Sequence, residues 1–98
     1  MAIVKGTYVI IRTYSAGVFA GTLVSRKGKE VELSTARRLW YWDGAASLSQ
    51  MALEGVNKPQ NCKFSVVLQE NEIVNVIETL PLTEKAFKIL NSVKIWKI

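Results

Sequence analysis

Ala36-Arg37-Arg38-Leu39-Trp40-Tyr41-Trp42-Asp43-Gly44 is the densest stretch of the chain, placing two arginines and three aromatic rings between Ala36 and Trp42. In an extended segment the side chains alternate. Arg38, Trp40 and Trp42 would then share one face, with Arg37, Leu39 and Tyr41 on the other. A guanidinium fork binds phosphate oxygens two at a time, and an indole face stacks on a nucleobase. The pairing therefore suits an anionic ligand with flat rings, a nucleotide. Tryptophans fill cores and interfaces as readily as they form platforms, so Trp40 and Trp42 are candidates for either role.

Downstream, Ala45 to Glu54 has Leu48, Met51 and Ala52 at helical spacing, with Asp43 placed to cap its start and Gly55 to end it. A helix starting there would point its N-terminal dipole at Trp42 and Arg38. Upstream, Ile3 to Tyr14 reads as a strand that puts Tyr8, Ile10, Arg12 and Tyr14 on one face. Ser15-Ala16-Gly17 breaks it before Val18 to Arg26 resumes, the pattern of a hairpin. Arg26-Lys27-Gly28-Lys29 predicts a second turn, Glu30 to Leu33 a third strand, and the Arg/Trp stretch a fourth strand or a continuation after a bend.

Further on, Val56 to Cys62 reads as a loop, and Phe64–Leu68 and Glu72–Glu78 as a hairpin turning at Gln69-Glu70-Asn71. Pro81-Leu82-Thr83-Glu84 opens a last helix through about Val93, with Ala86, Phe87, Leu90 and Val93 on one stripe. The expected architecture is α+β: one domain, residues 1–98, with an antiparallel sheet of five to six strands and two helices in the order β-β-β-β-α-β-β-α.

Composition narrows the chemistry. There is no histidine, which removes the usual general base and the commonest zinc ligand. Cys62 is the only cysteine, so neither an internal disulfide nor a thiolate metal cluster is expected. No cofactor, metal or catalytic set is expected, and the chain does not read as an enzyme. No apolar run approaches the ~18 residues of a spanning helix, which leads us to expect a cytoplasmic protein with no membrane partner. The net charge of +5 is concentrated at one end: residues 1–42 carry seven basic and two acidic side chains, and all four arginines fall there. Such a field attracts anions.

Arg12-Thr13-Tyr14-Ser15-Ala16-Gly17-Val18, Ala36 to Trp42 and Gly44-Ala45-Ala46-Ser47-Leu48 together resemble a group of small phage-encoded proteins, the anti-Thoeris sponges. The resemblance spans roughly positions 8 to 80. It implies a homo-oligomer that binds cyclic ADP-ribose signals without cleaving them, in pockets at subunit contacts. Arg12, Ser15, Ala16 and Gly17 would form one pocket edge, and Arg37, Arg38, Trp40 and Trp42 another. Tyr14 joins the candidates because it shares Arg12's face. Two other readings stand beside sequestration: single-stranded nucleic-acid binding, favoured by the pI near 9.6, and a module that inhibits a host protein with Trp40 and Trp42 as hot spots.

Overall fold

Alternating β-formers build three long antiparallel strands, β1 (Tyr8–Thr13), β2 (Val18–Lys27) and β3 (Glu30–Tyr41), in the computed structural model, which describes residues 3–98. Helix α1 (Leu48–Glu54) and a 3-10 turn at Pro59–Asn61 follow. Then come the short β4 (Lys63–Phe64), β5 (Leu68–Ile73), β6 (Val76–Pro81) and helix α2 (Glu84–Asn91). The fold is α+β, with six antiparallel strands in one sheet ordered β4-β3-β2-β1-β6 and β5 on β3.

β5 hydrogen-bonds β3, and β6 hydrogen-bonds β1, yet only Val74 and Asn75 separate β5 from β6. The two sheet edges must therefore meet, and the sheet curls into an open barrel. Val76 N donates to Lys29 O at 3.0 Å and Tyr14 N to Asn75 O at 3.0 Å, fastening the seam. Curling gives the sheet two apolar faces. Val9, Ile11, Phe19, Leu23, Val31, Leu33, Ala36 and Ile73 fill the concave side. Ile10, Ala20, Leu39 and Phe64 on the convex side pack against Met51 and Ala52 of α1 and Leu90 of α2. Burial on both sides explains why Val9, Ile10 and Ile11 are all fully enclosed.

A β-bulge in β3 decides which side chains meet which face. Ala20 pairs with Arg37 while Thr22 pairs with Ser34, so β3 carries one extra residue there, and Thr35 takes a left-handed φ of 47°. Before the bulge Val31 and Leu33 face the concave side; after it Ala36 does, and Arg37 and Leu39 face the helices. Gly21 lies opposite. A Cβ there would sit 3.0 Å from Ser34 O and 3.1 Å from Ala36 Cα.

Of the two readings of the Arg/Trp stretch the continuation holds, since it is the far half of β3, and the short additional strand β4 follows α1, giving the order β-β-β-α-β-β-β-α. Two sequence expectations are corrected. Gln69, Glu70 and Asn71 lie inside β5, the turn having moved to Val74-Asn75, where Asn75 supplies φ 58°. Ser47, not Asp43, caps α1, its hydroxyl accepting from Gln50 N, so the helix begins later than the periodicity suggested. Thr83 caps α2 as expected.

Two measurements check this core. Gly21→Ala should lose about 1–3 kcal/mol by crowding the bulge, read as a lower urea midpoint. Burial beside α2 pushes the Tyr8 phenol above its usual value, with the Arg37 cation opposing the shift. The folded state therefore holds this proton more tightly than the unfolded chain does. Its contribution is whole below about pH 10 and fades as pH rises further. Melting temperature should fall less steeply above pH 10 in Tyr8→Phe than in the wild type.

Candidate functional site

Neighbouring arginines on β3 meet opposite fates. Arg37 points to the convex side and is only 4% exposed. Its Nε donates to Ser65 O at 3.1 Å and its Nη1 to Leu90 O at 3.3 Å. Nη2 donates to Phe64 O at 3.5 Å and Lys94 O at 3.4 Å, and the guanidinium lies 5.3 Å from the Phe64 ring centroid. Burial pulls its pKa below the usual guanidinium value, a shift that neighbouring Tyr8 opposes. Leu90 O lies in the last turn of α2, where a cation is favoured by the helix dipole. Arg37 is thus a structural clamp joining β3, the Phe64–Ser65 chain and the segment after α2, and its donors are committed to main-chain carbonyls.

Arg38 faces the concave side. Its guanidinium carbon lies 4.6 Å from the Phe19 ring centroid and 5.5 Å from that of Trp40, so aromatic surface flanks the cation. Its Nε is buried with no hydrogen-bond partner among the described residues. An unpaired donor of this kind costs on the order of 1–3 kcal/mol, more when charged, so it favours an incoming acceptor.

The surrounding groove arises from how the chain leaves β3. β4 pairs with Leu39 and Tyr41, β5 pairs with Ala36 and residues before it, and Ser65 to Val67 cross the gap beside Arg38. Arg38 N donates to Ser65 Oγ at 2.8 Å and Ser65 N to Arg38 O at 2.9 Å, which fixes the crossing. The result is a half-open groove of about 280 Å³. Phe19 and Ala36 form its floor, Arg38 and Trp40 one wall, and Ser65, Val66, Leu68 and Asn71 the other. Trp40, Val66 and Leu68 remain substantially exposed at its rim.

Of the residues singled out by sequence, Arg38 and Trp40 therefore come together and the others do not. Trp42 lies beyond the end of β3 and packs against the convex core beside Ala45 and Leu48. It does not share Trp40's face, because the strand alternation stops at Tyr41. Arg12 follows Ile10's outward direction, and its Nε pairs with Glu78 at 2.9 Å in an exposed bridge worth ~0–1 kcal/mol. Tyr14, Ser15, Ala16 and Gly17 form an exposed turn closed on itself: Thr13 Oγ1 accepts from Ala16 N and donates to Gly17 O. Helix α1 packs on the convex core, so its N-terminus does not address Arg38. Phe19, Ser65 and Asn71 belong to the site but escaped the sequence reading. Phe19 looked like an ordinary strand residue, and Asn71 looked like part of a turn.

The groove walls carry no carboxylate, thiol or imidazole, and no group of three or more potential metal ligands occurs among the described residues. No described helix is long and apolar enough to cross a membrane.

A curled antiparallel sheet backed by two helices, with an arginine-and-tryptophan groove at the mouth of its concave face, defines the class of domain. The chain belongs to the family described as a domain of unknown function, DUF6948, whose model matches residues 6–90. No curated protein and no solved structure matches it.

The two arginines should separate cleanly on substitution. Arg37→Met leaves several buried carbonyls without a partner and should cost about 3 kcal/mol, lowering the melting temperature by more than about 10 °C. Arg38→Met removes an unsatisfied donor but also the cation's contacts with Phe19 and Trp40, effects of opposite sign, and should change stability by less than about 1 kcal/mol in a parallel melt.

Proposed function

We propose that this chain is a binding protein for a nucleotide-derived small molecule. The Arg38–Trp40 groove takes up a cyclic ADP-ribose isomer or a cyclic oligonucleotide and holds it without cleaving it. In a phage-infected host cytoplasm, this capture would lower the free concentration of an immune second messenger, in the manner of the anti-defence sponges the sequence resembles.

One observation carries the reading: the buried, unpartnered Nε of Arg38, held between two aromatic rings at the edge of an open groove. Phe19 and Trp40 flank the guanidinium, which leaves its donor edge for an anion. The outward face of Trp40 remains free for a base. The walls carry no carboxylate, thiol or imidazole, and the Ser65 hydroxyl donates to Val66 O, which suits capture rather than turnover. At about 280 Å³ the groove falls just below the ~300–1,000 Å³ of typical ligand pockets. In this reading a second copy of the chain completes the wall.

A thermal-shift panel of cyclic ADP-ribose isomers and cyclic oligonucleotides, with native mass spectrometry of any complex, tests the proposal. At least one ligand should raise the melting temperature by several degrees at saturating concentration, be recovered intact, and lose its effect with Arg38→Met. Failure of every member of the panel to stabilise the wild type would overturn the reading.

A further inference from the structure

Asn71 sits on the inner side of a mostly polar strand. The register sets it opposite Leu33, which is wholly buried on the concave face. Two residues on, Ile73 faces Val31 and is buried in the same cluster. Alternation along β5 therefore directs Asn71 toward the concave side, next to the buried Ile73, where its side chain lines the Arg38–Trp40 groove. A carboxamide offers two donors and an acceptor. Asn71's is half-buried in the groove lining and is held by no side-chain hydrogen bond from the described residues. A half-buried carboxamide that opens into the groove and is held by no protein group is free to meet a ligand there.

We propose, on the basis of the nucleotide-binding reading above, that Asn71 selects the ring. Its carboxamide pairs with a purine edge that sets an exocyclic group beside a ring nitrogen, adenine above all. Trp40 stacks on the ring's face, and Arg38 holds the phosphate. The same donor–acceptor pairing lets asparagine read adenine in nucleic acids. Asn71 is thus a specificity-determining residue, separate from the anion contact.

Calorimetry with three probes, AMP, purine riboside 5′-monophosphate and ribose 5-phosphate, tests this on the wild type and on Asn71→Leu. The wild type should bind AMP about tenfold more tightly than purine riboside 5′-monophosphate, which lacks the exocyclic amine. Asn71→Leu should shrink that ratio below about twofold while leaving ribose 5-phosphate affinity unchanged and the melting temperature within a few degrees. An equal affinity for the two purine nucleotides in the wild type, or a tenfold ratio that survives in Asn71→Leu, overturns the role of Asn71 and leaves the nucleotide reading standing. If none of the three probes binds the wild type, the role of Asn71 falls, while the capture reading is decided by the cyclic-nucleotide panel.

Discussion

One extra residue in β3 organises the molecule. Where Thr35 bulges opposite Gly21, the alternation of the strand changes phase. Odd-numbered residues face the concave core before it, and even-numbered residues after it. Without the bulge, Arg37 would point into the barrel and Arg38 toward the helices. The helix side supplies carbonyls for a buried cation, and the concave mouth supplies aromatic walls. Gly21 makes the bulge possible by leaving space that a side chain would fill.

The two arginines then show how hydrogen-bond satisfaction separates structure from binding. Arg37 brings a charge into the interior at a heavy desolvation cost, which its bonds to four main-chain carbonyls offset. Its removal should loosen β3, the Ser65 crossing and the segment after α2 together. Arg38 is held by stacking and leaves its Nε unused, which lowers the stability of the free protein slightly and raises the gain on meeting an anion. Ser65 links the pair: its carbonyl receives Arg37, while its hydroxyl and amide receive and return the main chain of Arg38. The Ser65 wall of the groove is thus braced from the opposite face of the sheet.

Much of this was legible in the amino-acid order. β-Branched alternation marked β1 and β2, Gly28 the turn between β2 and β3, and Thr83 with the Ala86–Leu90 stripe marked α2. The clustering of Arg38 with Trp40 was also visible. Three features were hidden, each for a physical reason. A bulge leaves no mark in polarity when the residues on both sides, Ser34 and Arg37, are polar, so the fate of Arg37 against Arg38 could not be read. Gln69-Glu70-Asn71 has turn-like composition, and tertiary pairing with β3 overrode it. Trp42 fell on the wrong face because periodicity does not announce where a strand stops. Arg12 and the Tyr14–Gly17 turn attracted attention through charge and small residues, but they do not line the Arg38–Trp40 groove; Arg12 Nε pairs with Glu78, and Thr13 Oγ1 bridges Ala16 N and Gly17 O.

The central claim, that the Arg38 guanidinium keeps a donor with no protein partner while those of Arg37 are engaged, is best tested by proton NMR of the two arginine Nε–H groups during titration with a cyclic ADP-ribose isomer. The Arg37 signal should exchange slowly from the start and stay in place. The Arg38 signal should shift and slow its exchange as the ligand is added. An Arg38 signal unchanged while ligand binds elsewhere on the protein, or an Arg37 signal that exchanges as fast as a solvated side chain, would contradict the account.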